Sequence, residues 1–126
     1  MVSGEDFPTL FAALQAKYDQ FLEGAYLDEQ GTILEQTENS VLGEAEAYPL
    51  LLDWAQHHKN LNYGGVKYST LKSDPVNLST YNVHLKEGVV GSITRNKKFV
   101  VARVRTADFI QLGNSAILLG IRMWEL

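Results

Sequence analysis

The stretch LNYGGVKYSTLKSD, residues 61–74, decides the fold of this chain. Apolar and polar residues alternate from Leu61 onward, which predicts β-strands. The Gly64-Gly65 pair interrupts the alternation and indicates a tight turn, because glycine readily adopts positive φ. A phosphate-binding loop would continue into a helix, whereas residues 66–72 have the pattern of a strand. We therefore predict two strands joined by a turn.

Further strands follow along the chain. Residues 81–85 alternate between apolar and polar side chains, and residues 88–94 and 98–105 flank a short turn at 95–97. Asn96 suits that turn because asparagine tolerates positive φ. Short connections between consecutive strands predict an antiparallel meander of about five strands.

The first predicted helix lies at the N-terminal end. Apolar residues recur at helical spacing from Phe7 to Leu22, which forms one continuous stripe. Asp6 and Pro8 are start signals, and Gly24 ends the pattern.

A hairpin and two more helices complete the expected fold. Residues 24–28 and 32–36 predict the hairpin, and a second helix has Pro49 in its first turn, packs Trp54 into the core and ends near residue 58. The last helix covers residues 108–123 and should bury five side chains: Phe109, Leu112, Ala116, Ile117 and Ile121. The expected fold class is α/β (α+β), an antiparallel sheet meander covered by N-terminal, inserted and C-terminal helices in a single domain, residues 1–126.

Composition narrows the class of protein. The chain has 126 residues, of which 45% are apolar and none is cysteine. This length supports one domain with its own core, and the absence of cysteine excludes disulfides and Cys-ligated zinc. No apolar run is long enough for a membrane helix, and the acidic N-terminus lacks the charge of a signal peptide. We expect a soluble, cytoplasmic protein.

Charge is unevenly distributed. Residues 1–58 contain eleven acidic residues and one basic residue, whereas residues 59–126 contain ten basic and four acidic residues. The two segments could neutralise each other within the fold, or the basic half could face an acidic protein or a phosphoinositide headgroup. Nucleic acid is not an expected partner, because the chain is acidic overall and carries no nucleic-acid-binding motif.

Catalytic signatures are missing from the sequence. It has no Cys nucleophile, nucleophile elbow, phosphate-binding loop, dinucleotide fingerprint or zinc-protease motif. His57 and His58 are adjacent, and adjacent side chains on a helix point about 100° apart, so the pair cannot readily chelate one metal. We therefore predict no enzyme activity, no catalytic residue, no metal site and no cofactor.

Four segments resemble the profilin family. Residues 61–74 contain the Gly-Gly-x-Lys-Tyr step and a strand that ends in Lys followed by Asp, and residues 88–95 and 99–103 resemble the next two profilin strands. Residues 24–32 are similar to the first profilin hairpin. The order of elements also agrees over most of the chain. The resemblance implies the profilin fold, binding of monomeric actin or an actin homologue, a mostly monomeric state and a place in the cytoskeleton.

The resemblance also implies which residues contact actin. Profilins use the strand after the Gly-Gly turn, its neighbours and the start of the last helix, which here contribute Lys67, Ser69, Leu71, Lys72, Lys86, Phe109 and Gln111. Independently of the family, a period of two places Lys67, Ser69 and Leu71 on one strand face. A more generic hypothesis assigns phosphoinositide binding to Arg95, Lys97, Lys98, Arg103 and Arg105.

The departures from the family concern polyproline. Profilins stack polyproline between aromatic residues of both termini, and the aromatic residues available here are Phe7, on the apolar stripe, and Trp124. Leu34 stands where the family often has Trp. Binding at the usual shelf is therefore doubtful, and the chain resembles a divergent profilin, such as the archaeal (Asgard) profilins. The alternative is a roadblock or longin-like scaffold domain for small GTPases, which would dimerise.

Overall fold

Three helices and seven strands make up the part of the chain that the structure, a computed structural model, describes, which is residues 6–126. In chain order the elements are α1 (Phe7–Lys17), β1 (Phe21–Leu27), β2 (Ile33–Gln36), α2 (Glu44–Ala55), β3 (Asn60–Tyr63), β4 (Val66–Ser73), β5 (Asn77–Tyr81), β6 (Glu87–Ile93), β7 (Phe99–Arg105) and α3 (Ile110–Met123).

The strands form one antiparallel sheet in the order β2-β1-β7-β6-β5-β4-β3. Strands β3 to β7 are the predicted meander, and β1 joins its far edge by pairing with β7. The predicted fold class is therefore confirmed, including the N-terminal hairpin and the order of the three helices along the chain.

Helices cover both faces of the sheet and create two apolar cores. On one face, α2 packs Leu50 and Trp54 against Tyr63 and Tyr68 of the β3–β4 hairpin. On the other face, α1 and α3 cover the β1, β6 and β7 region with a second set of buried side chains: Phe7, Phe11, Leu14, Leu112, Leu119 and Met123. Helices α1 and α3 do not cover β3 and β4, because the buried residues of these two strands belong to the α2 core and not to the α1–α3 core.

Helix α1 is shorter than the sequence pattern predicts. Asp6 caps it by accepting a hydrogen bond from the Thr9 backbone N–H, at 3.1 Å, but the helix ends at Lys17. Phe21, expected on the same helical stripe, is the first residue of β1 and packs edge-on against Phe11 with ring centroids 6.2 Å apart. The apolar residues from Phe7 to Phe21 do face one core, but Phe21 reaches it from a strand, and Leu22 is not part of that core.

Two other boundaries differ from prediction. Helix α2 begins at Glu44, and Pro49 therefore lies inside it. The earlier start is favoured by the carboxylates of Glu44 and Glu46, which interact with the helix dipole in the first turn. Strand β5 ends at Tyr81, and most of the stretch predicted as strand, residues 81–85, lies in a turn that covers residues 83–86. Its apolar residues Val83 and Leu85 are exposed.

The last helix and the last hairpin bring two more corrections. Leu112 and Ala116 are buried in α3 as expected, whereas Phe109, Ile117 and Ile121 are each more than half exposed. In the β6–β7 turn, the residue with positive φ is Lys97 and not the asparagine before it.

Candidate functional site

The Gly-Gly turn positions the strand that carries the first candidate residues. Gly64 and Gly65 have φ values of 61° and 76°, so the turn requires the conformational freedom of glycine, as predicted. Their backbone N–H groups donate to the two carboxylate oxygens of Glu46 on α2, at 2.9 and 2.8 Å. Glu46 also accepts from the Gly43 N–H at the start of the helix, at 3.1 Å. One carboxylate thus fixes the β3–β4 turn to the helix behind it.

Strand β4 separates a covered face from an open one. Tyr68 is 1% exposed and packs into the α2 core, while Lys67 and Ser69 are exposed on the opposite face. Ser69 lies directly opposite Tyr81 of β5, and the ring of Tyr81 packs toward α1 and α3. Because residues paired across two strands point to the same face, the open face is the α3 side of the sheet. The predicted assignment of Lys67 and Tyr68 to opposite faces is confirmed.

A bulge in β4 changes how the alternation continues. The pairing with β5 shifts between Thr70 and Lys72, so that Lys72 lies opposite Ser79. Ser79 is two residues from Tyr81, and Lys72 therefore lies on the same open face as Ser69. The simple period of two would have placed Lys72 on the covered face. Leu71, the bulged residue, is 48% exposed.

The turn after β5 brings Lys86 beside this strand. The Asn82 amide donates to the Lys67 backbone carbonyl at 3.1 Å, and the Lys86 N–H donates to the Asn82 carbonyl at 2.9 Å. Asn82 Oδ1 also accepts from the N–H groups of His84 and Leu85. A single asparagine therefore ties the turn to β4 and holds Lys86, whose φ is 54°, near Lys67.

Tyr81 connects the same region to the start of α3. Its ring lies 6.4 Å from that of Phe109, and its hydroxyl donates to the Thr106 carbonyl at 3.2 Å. The Thr106 N–H in turn donates to the Lys86 carbonyl at 3.0 Å. Phe109 is 56% exposed, and Gln111, the second residue of α3, is exposed as well. These contacts connect Lys67, Lys86 and Phe109. We call the exposed surface of β4, of the turn before β6 and of the start of α3 the open face; the residues proposed for actin that it carries are Lys67, Ser69, Leu71, Lys72, Lys86, Phe109 and Gln111.

Arginines on the covered face have different surroundings. Arg103 forms ion pairs with Glu23 and Glu87, both at 2.8 Å, and Glu23 is fully buried. Tyr63 donates its hydroxyl to Glu23 at 3.2 Å. Burial opposes the charged form of Arg103, but the hydrogen bonds that Arg103 donates to Glu87 and Glu23 outweigh this effect and raise the pKa of the guanidinium above its usual value. Burial also raises the pKa of Tyr68 to about 12, with a contribution from Glu87.

The five residues of the phosphoinositide hypothesis are not brought together. Arg95, Lys97 and Lys98 lie at the β6–β7 turn, while Arg105 is at the other end of β7, about 20 Å away for a strand of this length. Arg103 already pairs with two carboxylates, and Arg95 pairs with Glu125 at 2.7 Å.

The two aromatic residues considered for polyproline are also apart. Phe7 is fully buried between Phe11 and Tyr26. Trp124 is 48% exposed and lines a groove with Val76 and Ile121, on the flank of α3 that borders β5. The structure does not assemble a shelf from this pair.

Residues 6–126 contain neither a metal-binding cluster nor a membrane-spanning helix. Among residues 6–126, no group of three or more His, Cys, Asp or Glu side chains is arranged to hold a metal ion. His58 instead contacts Asp53 at 2.7 Å, and His57 contacts Ser73 at 3.2 Å. None of the helices in this part of the chain is long and apolar enough to span a membrane.

Known proteins resemble this chain in sequence and in fold. It is 28% identical to Loki profilin-3 of Lokiarchaeum sp. over 109 residues. The aligned region covers 86% of this chain and 88% of that protein. Acanthamoeba castellanii profilin II matches the structure with a TM-score of 0.70 at 15% identity, over 86% of each chain. The chain has the profilin fold. No family model matches the sequence.

A third comparison involves a complex. A Loki profilin (LokiProfilin2) solved in complex with rabbit actin matches with a TM-score of 0.65 at 16% identity, over 87% of this chain and 92% of that one. At this level of identity the match concerns the profilin fold. Together with the similarity to Loki profilin-3, it confirms the resemblance to profilins that residues 61–74 indicate.

Sequence reasoning missed the residues that hold the open face together. The strand predicted over residues 81–85 is correct for Tyr81, where β5 ends, but Asn82 instead caps a turn with its side chain, a role typical of asparagine. The sequence also does not predict that Ile117 and Ile121 are surface residues, because apolar residues in an amphipathic helix normally indicate its core side.

Proposed function

We propose that this protein binds monomeric actin, or an actin homologue, through the open face and thereby slows spontaneous filament nucleation. The observation that carries the proposal is the uncovered surface of β4 and of the neighbouring turn, where Lys67, Lys72 and Lys86 are exposed together with apolar Leu71 and Phe109. Lys72 also contacts Asp74, at 3.6 Å. A cationic rim around apolar contacts suits an acidic protein partner. The Loki profilin complex with rabbit actin supports the choice of actin.

The proposal describes a single profilin-like binding domain over residues 1–126 that acts at the actin cytoskeleton and is not an enzyme. It is expected to act as a monomer, since the open face is used for actin. The alternative, a roadblock or longin-like scaffold, gains no support from the comparisons, in which the solved neighbours are profilins.

Spontaneous assembly of fluorescently labelled actin tests the proposal. Saturating protein should lengthen the lag before filaments grow, because a monomer covered at a subunit contact cannot join a nucleus. Adding preformed filament seeds should shorten the lag again, which distinguishes an effect on nucleation from actin denaturation. An unchanged lag at saturating protein would contradict the proposal.

Anionic phosphoinositide lipids form a narrower part of the proposal. With Arg103 held by carboxylates, a headgroup would have to bind at the β6–β7 turn through Lys97 and Lys98, near the ion-paired Arg95. Two lysines on one turn support weak, salt-sensitive binding. Sedimentation with phosphoinositide-containing vesicles, compared with neutral vesicles, should show a small difference that Lys97→Ala removes. Equal sedimentation with both kinds of vesicle would eliminate the lipid from the proposal.

A further inference from the structure

An apolar pocket lies on the covered face of the sheet, under the C-terminal end of α2. Its walls come from α2, from the β4–β5 turn and from the facing ends of β6 and β7: Leu51, Trp54, Pro75, Ile93 and Phe99. Trp54 and Phe99 meet edge to face, with ring centroids 5.4 Å apart. Aromatic rings and aliphatic side chains therefore surround most of the space.

The size of the pocket limits what it can hold. Its volume is about 300 Å³. An apolar cavity of about 150 Å³ can hold one benzene molecule, so this space has room for about two fused rings. Pockets that bind small molecules start at about this size and combine apolar walls with a few polar groups.

The pocket offers no free charge to a ligand. Its one carboxylate is Asp74, and no Lys or Arg among residues 6–126 lines it. Asp74 Oδ1 accepts from the Val76 and Asn77 backbone N–H groups at 2.9 and 2.8 Å, and Oδ2 contacts Lys72 at 3.6 Å. The Asp74 carbonyl accepts from Trp54 Nε1 at 2.7 Å. A charged ligand would lose hydration here without gaining a partner, so the pocket favours an uncharged one.

His57 supplies a polar group at the rim. Its φ is 56°, a left-handed conformation that residues other than glycine rarely adopt. Ser73 Oγ donates its one hydrogen to the Trp54 carbonyl at 2.8 Å, so it must accept from His57 Nδ1, which lies 3.2 Å away. In the neutral imidazole, Nε2 is then an acceptor, and it has no hydrogen-bond partner among residues 6–126.

We propose that this pocket binds an uncharged aromatic molecule of about two fused rings, which donates one hydrogen bond from a hydroxyl or ring N–H group to His57 Nε2. The rings of the ligand contact Trp54 and Phe99, and its donor group faces the rim. The site goes beyond the proposed function, since it lies on the covered face, whereas Lys67 is on the open face. The protein can therefore hold this ligand while the open face is occupied.

Titration of isotopically labelled protein with naphthol, followed by NMR, tests the proposal. The chain has two tryptophans, and Trp54 is the one that lines the pocket. The indole N–H signal of Trp54 should shift in a saturable way, while that of Trp124 should stay in place. Naphthoate has the same rings but carries a charge, and it should bind severalfold more weakly.

Two pairs of variants locate the ligand. Ala55→Leu adds bulk at an exposed position of α2 that lines the pocket and should abolish the shift, whereas Ala45→Leu, at the other end of α2, should not change it. His57→Asn removes the imidazole but keeps a residue that tolerates positive φ, and it should weaken naphthol severalfold without affecting naphthalene, which has no donor. His58→Asn, outside the pocket, should leave the binding of both unchanged.

Each part of the proposal can fail separately. A missing shift at Trp54, or a shift at Trp124 instead, would overturn the site. An equal loss of naphthol and naphthalene binding in His57→Asn would overturn the role of the imidazole as acceptor. Intermolecular NOEs from naphthol to the rings of Trp54 and Phe99 need no variant, and their absence at saturating ligand would contradict the placement.

Discussion

The two faces of the sheet hold their cations in opposite ways. On the covered face, Arg103 lies between Glu23 and Glu87 and is 21% exposed in its side chain. On the open face, Lys67 and Lys86 are exposed and form no ion pair within residues 6–126. A buried cation with two carboxylate partners supports the fold, while unpaired surface cations cost the fold little and remain available to a partner.

This difference answers the question that the uneven charge of the chain raises. The structure shows the first reading, mutual neutralisation, on the covered face. Glu23, from the acidic half, meets Arg103, from the basic half, inside the fold. The lysines of β4 and of the turn before β6, by contrast, face outward.

The largest expected effect comes from breaking the covered ion pairs. Arg103→Met leaves the fully buried Glu23 without its cation, and removing one partner of a buried pair typically costs about 3–5 kcal/mol. The midpoint of urea unfolding should fall accordingly, with an unchanged slope. Arg105→Met is the matched control, because Arg105 is exposed and lies 3.7 Å from Glu87. Equal midpoints for the two variants would show that the buried network does not stabilise the fold.

A second variant tests the covered face by packing rather than by charge. Tyr68→Ala removes a side chain that is 1% exposed from the α2 core, and truncating a buried aromatic residue typically costs about 3 kcal/mol or more. Tyr68→Phe keeps the ring and should retain most of the stability. Calorimetry of both variants measures the difference. Near-wild-type stability of Tyr68→Ala would mean that Tyr68 does not pack into the α2 core and that β4 presents its other face to α2.

The next prediction concerns the neighbouring residue on the open face. Lys67→Glu should change the free energy of unfolding by less than about 0.5 kcal/mol, as surface substitutions usually do. It should weaken actin binding severalfold, because a reversed charge replaces attraction by repulsion. Lys17→Glu makes the same change in net charge on α1, away from the open face, and should bind actin like wild type. A Lys67→Glu variant that unfolds more easily but binds normally would reverse the comparison between the faces.

The sequence predicts the covered side of this molecule better than the open side. The meander of β3 to β7 follows from short connections, and the opposite orientations of Lys67 and Tyr68 follow from local periodicity, which responds to burial on one face. The pairing of β1 with β7 is not predicted. The open face depends on features that periodicity does not register: the bulge at Leu71, which moves Lys72 across the strand, and the turn held by Asn82.

The prediction of helices from sequence periodicity has the same limit. The helical pattern from Phe7 to Leu22 counts apolar residues without distinguishing a helix from a strand that packs into the same core. In α3, the apolar residues form two stripes, and composition alone does not reveal which stripe packs against the sheet. Ile117 and Ile121 were therefore expected in the core, whereas the structure exposes them beside the groove.

The smallest expected effect is the response to a polyproline peptide, which should be none. A polyproline shelf needs aromatic rings exposed on one surface, since stacking depends on access to ring faces. Phe7 is fully covered by α1's own packing partners, and Trp124 lies on the flank of α3 that borders β5. Because Trp54 is 3% exposed, Trp124 is the tryptophan that a peptide could reach, and its fluorescence is a suitable reporter. Titration with decaproline should give no saturable change, while labelled actin should still bind under the same conditions. A saturable change that Trp124→Leu abolishes would show that the C-terminal tryptophan forms a proline-binding surface without a partner from the N-terminal helix.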